Sequence, residues 1–181
     1  LGKRRKRKHT MKILFHGSHT EVSAPLAKAG RCNLDFGQGF YLTSIRKQAE
    51  NWAAIIASRK GRNVTGKVSV FQFNDEQAIA DGVRIKCFDS YDIEWLNYVV
   101  DCRSGKDISS EFDAVEGGVA NDNVIDTVED YEKGIITAEQ ALGQLRYKEV
   151  NHQLCILNQA VIDKYLNFIE CITIQSKEDG Q

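Results

Sequence analysis

The stretch on which the fold assignment depends is a glycine-rich run that ends in an aromatic pair: Asp35-Phe36-Gly37-Gln38-Gly39-Phe40-Tyr41-Leu42-Thr43. Its glycines favour a loop, and Phe40–Thr43 is typical of a brief strand. The backbone amides and flat side chains of such a loop suit an anionic, aromatic ligand, and Arg31, just upstream, has a charge suited to phosphate oxygens. The alternative interpretation is a tight turn that contains a core aromatic residue.

Strands and helices are mixed on both sides of this loop. Upstream, Met11–Phe15 predicts a buried strand that runs into His16-Gly17-Ser18, and a short helix is expected around Ala24–Ala29. Downstream, we expect strands at Val68–Phe73, Val83–Phe88, Ala114–Ala120, Val150–Leu157 and Phe168–Ile174. Helices are expected at Ser44–Arg59, from Asp89 or Ser90, at Asn123–Glu132, at Thr137–Leu145 and from Gln159. Because this order lacks a strict βαβ alternation, it predicts an α+β domain.

Some local patterns make more specific predictions. Ser44 is expected to cap the first long helix, whose apolar face would contain Ile45, Ala49, Trp52, Ala53 and Ile56. We assign Trp52 and Trp95 to the core. The alternation of the strand at Val68–Phe73 breaks between Val70 and Phe71. The run Thr137-Ala138-Glu139-Gln140 is typical of a capping box.

The composition indicates one globular domain with an uneven charge distribution. A chain of 181 residues with a 42% apolar fraction is long enough for one domain and short for two. Six of the 24 Lys and Arg residues lie in residues 1–10, which contain no acid, so the rest carries 18 basic against 25 acidic residues. We interpret residues 1–10 as a basic leader, disordered or upstream of the natural start, and residues 11–181 as the domain. A basic arm that contacts nucleic acid or an acidic partner is the alternative.

The cysteine and hydropathy patterns exclude several classes of protein. The five cysteines are scattered and contain no C-x-x-C pair, which argues against a disulfide framework and a structural zinc site and indicates a reducing, cytoplasmic compartment. No apolar run approaches the roughly 18–20 residues of a membrane-spanning helix, and no signal peptide is visible.

Two further segments carry side chains suited to chemistry. His16, at the end of the first strand, can hydrogen-bond a ligand hydroxyl, and Gly17 allows a ligand to approach the backbone; a structural histidine is the alternative. The run from Asp113 to Asp122 contains a glycine pair followed by Asn121 and Asp122. Asp113, Asn121 and Asp122 are candidates for the acceptor side of a transfer reaction, where a carboxylate orients or deprotonates a nucleophile. A structural turn is the alternative.

Together these segments resemble the ADP-ribosyltransferase superfamily, on the branch of diphtheria toxin and the poly(ADP-ribose) polymerases. That branch is recognised by a His on the first strand, a Tyr after a glycine-containing loop and a Glu that opens a late strand. His16-Gly17 matches the first element, and Gly39-Phe40-Tyr41-Leu42-Thr43 matches the second. Within the superfamily the chain is similar to a small bacterial family over nearly its whole length from Met11. The resemblance implies a split, mostly antiparallel two-sheet core with peripheral helices and an NAD⁺ cleft between the sheets.

The resemblance also implies residue roles. His16 would hydrogen-bond the adenosine ribose, and the Gly17 backbone would contact the nicotinamide amide. Tyr41 would stack on the nicotinamide ring with support from Phe40, and Arg31 would reach the pyrophosphate. The catalytic set would be His16, Tyr41 and Gln153. At residue 153 the chain departs from the family pattern, because Gln replaces Glu and its carbonyl accepts a hydrogen bond without carrying a full negative charge.

The activity implied by the resemblance is an NAD⁺-dependent mono-ADP-ribosyltransferase of bacterial toxin or effector type. NAD⁺ is the co-substrate, no metal is needed, and the acceptor is a protein, RNA or DNA rather than a membrane. An antitoxin or immunity protein is an expected partner. One alternative is an inert NAD⁺-binding or partner-binding module, because Gln153 lacks the charge. Another is a related enzyme that removes a 2′-phosphate from RNA, which the acidic body of the chain disfavours.

Overall fold

Seven strands and six helices are found in the part of the chain that the structure, a computed structural model, describes: residues 11–106, 111–120, 124–146, 148 and 151–174. The strands are β1 (Lys12–Ser18), β2 (Phe40–Leu42), β3 (Lys67–Phe73), β4 (Ile85–Cys87), β5 (Ala114–Gly117), β6 (Gln153–Ile156) and β7 (Leu166–Thr173). The helices are α1 (Arg46–Lys60), α2 (Asp75–Ala80), α3 (Ile93–Arg103), α4 (Ile125–Glu132), α5 (Ala138–Leu145) and α6 (Gln159–Tyr165). A 3₁₀ turn at Ala27–Ala29 lies within the short helix expected there.

The strands form two sheets that meet at one point. The first sheet has the order β1-β3-β7 and is antiparallel; the second has the order β2-β6-β5-β4, in which only β4 and β5 run parallel. Phe15 on β1 and Thr43 after β2 form an antiparallel bridge with N···O distances of 2.8 and 2.9 Å. The predicted α+β fold with two mostly antiparallel sheets is therefore confirmed.

Three apolar clusters set the order of layers. The first lies between the sheets and contains Leu14, Phe71 and Phe73 from one sheet and Phe40, Leu42, Leu154 and Ile156 from the other. The second covers the opposite face of the second sheet with α3, α4, α5 and Phe36 of the glycine-rich loop. The third is small: Ala49 and Ala53 of α1 pack on Val68 of β3. The second sheet is thus covered on both faces, and α1 covers part of the outer face of the first sheet.

Two local predictions are confirmed in detail. The pairing of β3 with β7 shifts between Val70 and Phe71, where Val70 pairs with Glu170 and Phe71 with Phe168, so Ile169 is an extra residue in β7. The capping box at the start of α5 is present as well. Thr137 accepts a hydrogen bond from the Gln140 backbone, and the Gln140 side chain accepts one from the Thr137 backbone.

The predicted helix starts were wrong at two helices, and α2 was not predicted. Ser44 does not cap α1: the helix has Ile45 at its N-cap and no side-chain capping hydrogen bond. The Ser44 N–H donates to His152 Nδ1 at 2.9 Å, and Thr43 Oγ1 accepts from the Ile45 N–H at 3.0 Å. The cap of α3 is Asp92, which accepts from the Trp95 N–H at 2.8 Å, and neither Asp89 nor Ser90 takes that place.

The predicted core position of Trp52 was wrong. Trp52 is 46% exposed, whereas Trp95 is fully buried as expected. The buried face of α1 consists of Ala49, Ala53 and Ala57 instead. Because these small residues bring the helix backbone close to β1 and β3, no room is left on that face for an indole ring.

No helix in the described part of the chain is long and apolar enough to cross a membrane.

Candidate functional site

The proposed catalytic residues lie on three strands at the junction of the two sheets. His16 is on β1, Tyr41 on β2, and Gln153 is the first residue of β6. Phe15 bridges Thr43, and Leu42 pairs with Leu154, so continuing that register by one residue places Thr43 opposite Gln153. Strand pairing therefore brings His16 and Gln153, which are far apart in the sequence, to the two sides of the end of β2.

His16 is held in one tautomer by its neighbours. Its Nδ1 lies 2.8 Å from the Tyr41 carbonyl oxygen, which only accepts, so Nδ1 carries the proton and donates. Its ring packs against Phe40, with centroids 4.6 Å apart. Burial lowers the pKa of His16 from its ordinary value, although the bond to the Tyr41 carbonyl acts in the opposite direction. At neutral pH the imidazole is therefore uncharged, and Nε2 offers a lone pair.

The two aromatic residues of β2 make different contacts: Phe40 lies in the core, and Tyr41 binds the glycine-rich loop. Phe40 is buried in the cluster between the sheets, where its ring meets Phe71 edge-on. The Tyr41 hydroxyl donates to the Gly37 carbonyl at 2.7 Å and accepts from the Phe36 N–H at 3.0 Å. Burial raises the pKa of Tyr41 well above its usual value. Tyr41 thus ties the glycine-rich loop to the strand, a structural role in addition to the stacking role that the resemblance implies.

Gly17 is required by packing whether or not a ligand contacts it. A Cβ at this position would lie 2.2 Å from the Ala49 carbonyl oxygen and 3.0 Å from the Ala53 nitrogen, both backbone atoms of α1. A side chain here would force the helix away from β1.

Gln153 is buried in a polar pocket that the sequence did not reveal. It is 7% exposed, and its Nε2 donates to Asp35 Oδ2 at 3.2 Å and to the Gly118 carbonyl at 3.1 Å. Asp35 also accepts from Arg103 Nη1 at 2.9 Å and from the Ala120 N–H at 2.8 Å. Asp35 and Arg103 were not among the predicted site residues. Asp35 precedes Phe36-Gly37 in the quoted loop, but nothing local to it indicates a partner 68 residues away.

A second histidine next to Gln153 is fixed by two partners. His152 Nδ1 accepts from the Ser44 N–H at 2.9 Å, so the proton is on Nε2, which donates to Glu116 Oε1 at 2.7 Å. The His152 hydrogen bond, followed by Lys12, lowers the pKa of Glu116 against the effect of burial. Cys87 lines a cavity of about 310 Å³ together with Glu116 and His152, and burial raises the pKa of its thiol. Because both nitrogens of His152 are engaged, this group is not a base poised to activate Cys87.

Asp113 does not lie with His16 and Gln153. Asp113 precedes β5 and is bound by the Arg84 backbone at 2.9 Å, the Arg84 side chain at 3.3 Å and Asn158 at 3.0 Å. It lies four residues, about 13 Å along a strand, from Gly117, the partner of Gln153. Asn121 and Asp122 lie outside the described residues. Arg31 is exposed on the loop.

A larger cavity, of about 700 Å³, is lined in part by Phe36, Gly37 and Gln38 of the glycine-rich loop. Its lining includes the basic residues Lys28, Arg84 and Lys106, with Phe36 and Phe112. Leu157 and Asn158 also line it, so it is near the end of β6 opposite to Gln153.

The comparisons with known proteins indicate membership of a family without assigning an activity. No curated protein matches the chain. The model of one family, described as "Protein of unknown function (DUF3990)", matches residues 12–168. This interval contains β1 to β6 and with them His16, Asp35, Tyr41 and Gln153. The chain belongs to this family of proteins of unknown function.

Proposed function

We propose that this protein is an NAD⁺-dependent mono-ADP-ribosyltransferase. It cleaves the bond between nicotinamide and ribose and joins the ribose carbon to a nucleophile on a protein, RNA or DNA acceptor. Nicotinamide leaves as a neutral molecule, and the nucleophile loses its proton. The observation that carries the proposal is the position of His16 and Gln153 on either side of the end of β2, where the two sheets meet.

The hydrogen-bonding state of these two side chains supports a sugar ligand. Nδ1 of His16 is used by the Tyr41 carbonyl, which leaves Nε2 as an acceptor. Nε2 of Gln153 is used by Asp35 and Gly118, which leaves Oε1 as an acceptor. Neutral acceptors suit hydroxyl donors such as those of ribose better than they suit phosphate or carboxylate groups. Rate enhancement would come from holding the dinucleotide and from dipoles directed at the developing ribosyl cation.

An exposed aromatic ring beside the site supports an aromatic ligand group. The Gln48 side chain on α1 donates to the His152 carbonyl at 2.8 Å, so this face of α1 meets the start of β6. Trp52 lies one turn further on the same face and is 46% exposed. Trp52 is thus a second candidate stacking surface for the nicotinamide besides Tyr41, and Arg59 already lies near its ring, with Cζ 5.9 Å from the centroid.

The biological setting is part of the proposal. All five cysteines are free thiols, which supports a reducing compartment, and we place the protein in the cytoplasm. A toxin or effector role, with an antitoxin or immunity protein as partner, follows from the resemblance. The second candidate function is an inert NAD⁺-binding or partner-binding module, favoured by the absence of a charge on Gln153.

The direct test is to incubate the purified protein with NAD⁺ and to follow nicotinamide release and intact mass. We expect nicotinamide release, or mass increments of one ADP-ribose, that fall about a hundredfold or more in His16→Ala and Gln153→Ala. Gln72→Ala is the matched control, because Gln72 lies on β3 three residues beyond Ser69, the partner of His16. Calorimetric titration with NAD⁺ measures binding in parallel.

The outcomes separate the two candidates. NAD⁺ binding without turnover, also after addition of cell lysate as a source of acceptors, would favour the inert module. The absence of both binding and turnover would reject the proposal in either form.

A further inference from the structure

Both hydrogen-bond partners of the Gln153 side chain are acceptors, and both bind its Nε2. Asp35 Oδ2 is 3.2 Å and the Gly118 carbonyl oxygen 3.1 Å from Nε2. An ionised carboxylate and a carbonyl have no proton to give, so the group that faces them must carry two N–H bonds. In a planar amide Oε1 then points away from both. No described residue donates to Oε1.

Asp35 is the centre of this arrangement. It is 9% exposed and joins four segments: its own loop, Arg103 at the end of α3, Ala120 after β5 and Gln153 on β6. The ion pair with Arg103, at 2.9 Å, is partly shielded from solvent. A buried carboxylate with these donors is costly to move or to neutralise, so it is a rigid reference point for the amide.

We propose that Asp35 is a positioning residue that sets the orientation of the Gln153 amide, and that the site is built for glutamine at this position. Glutamate at residue 153 would place an acceptor-only group against the Asp35 carboxylate and the Gly118 carbonyl. Two carboxylates at about 3 Å cannot both be ionised without strong repulsion. Gln153 is thus not a defective replacement for glutamate, because this pocket requires the two N–H bonds of its amide. The proposal that Oε1 then receives a ribose hydroxyl rests on the proposed function.

The first experiment measures stability and needs no activity. Urea unfolding is followed at pH 8 and pH 5 for the wild type, Gln153→Glu, Asp35→Asn and the double variant Gln153→Glu/Asp35→Asn. We expect Gln153→Glu to unfold at a lower urea concentration at pH 8 and to recover part of the difference at pH 5. The reason is that a protonated carboxyl regains a donor for Asp35. Glu129→Gln, which changes an exposed carboxylate paired with Lys133, is the matched control and should leave the midpoint unchanged.

The double variant tests the contact itself. The amide that Asp35→Asn introduces can donate to the carboxylate that Gln153→Glu introduces, so the double variant should be more stable than the sum of the two single changes predicts. The same midpoint for Gln153→Glu and the wild type at pH 8, or strict additivity in the double variant, would overturn the proposal.

A second experiment follows the Gln153 amide directly. In ¹⁵N-labelled protein we expect its side-chain N–H protons to exchange slowly in the wild type and at least tenfold faster in Asp35→Asn, since one of two acceptors loses its charge. If the wild type turns over NAD⁺, Asp35→Asn should lower kcat about tenfold or more with a smaller change in KM. Slow exchange in both proteins would overturn the positioning role. Exchange and stability results as expected, with no turnover in any protein, would reject the proposed function alone.

Discussion

His16 and Gln153 each keep one hydrogen-bonding atom after the fold has engaged the others. For His16 this atom is Nε2, because Nδ1 is bound to the Tyr41 carbonyl. For Gln153 it is Oε1, because Nε2 is bound to Asp35 and Gly118. Both remaining atoms are acceptors, so at the scale of single residues we expect a ligand at either one to donate a hydrogen bond.

The burial of His16 predicts a pH dependence of stability. Burial lowers the pKa of His16 in the folded protein, so below about pH 6.5, the ordinary histidine value, the unfolded chain binds the proton more readily. The contribution of neutral His16 to the free energy of unfolding is therefore fully present above about pH 6.5. It is lost as the pH falls through the pKa of His16 in the folded protein. The expected loss is about 1.4 kcal/mol for each unit of pKa lowering.

The measurement compares urea unfolding of the wild type and His16→Gln at pH 8 and pH 5.5. Gln can keep an N–H donor for the Tyr41 carbonyl, and the other histidines are common to both proteins. The wild type should lose more stability between the two pH values than the variant does. An equal loss in both would contradict a buried, neutral His16.

At the scale of elements, the contact between α1 and the first sheet depends on small residues on both sides. Gly17 on β1 and Gly66 before β3 each lie against the α1 backbone, where an added Cβ would come within 3 Å of Ala49 or Ala53 atoms. Because the helix follows directly after β2, its distance from β1 also determines where the end of β2 lies between His16 and Gln153.

We expect Gly17→Ala to destabilise the protein by about 1–3 kcal/mol, the usual cost of overpacking against a backbone that cannot move freely. The matched control is Gly143→Ala in α5, where an added Cβ meets no atom within 4 Å. That change should stabilise the protein by about 0.5–1 kcal/mol, because alanine favours a helix interior over glycine. Thermal unfolding measures both, and similar small effects in the two variants would show that the α1 contact is loose.

At the scale of the whole molecule, the site depends on the way in which two sheets and one loop meet. The bridge between Phe15 and Thr43 joins the sheets, and the cluster between them holds β1 and β2 in place. The loop that contains Asp35 lies over the other face of the second sheet, where α3 brings Arg103 to it. A change in the packing of either face would therefore reach Gln153.

The domain boundary predicted at Met11 makes a prediction at this scale. The buried clusters consist of residues 14 to 174, so a chain of residues 11–181 should unfold with the same midpoint as the full chain, to within about 2 °C. A chain of residues 15–181 should not fold cooperatively, because it lacks Leu14, which is fully buried, and three of the seven residue pairs between β1 and β3. Thermal unfolding checks both, and a lower midpoint for residues 11–181 would assign residues 1–10 to the domain.

The sequence by itself determined the features that depend on near neighbours in the chain. The α+β class, the break between Val70 and Phe71 and the capping box at Thr137 were predicted and confirmed. Alternation, helical spacing and caps act over one or two turns, so they can be read without the tertiary structure. The sequence also indicated His16, Tyr41 and Gln153 as candidates, and their roles stay predictions.

Only the tertiary structure decided which side chains meet. The contact of Asp35 with Arg103 and Gln153, the closeness of Gly17 to α1 and the exposure of Trp52 all depend on segments that are far apart in the sequence. Ser44, which was expected to cap α1, instead lies one residue before the N-cap and donates its N–H to a histidine 108 residues away. Such contacts are set by strand pairing and by the packing of layers. The sequence next to a residue therefore does not indicate which distant residue it will contact.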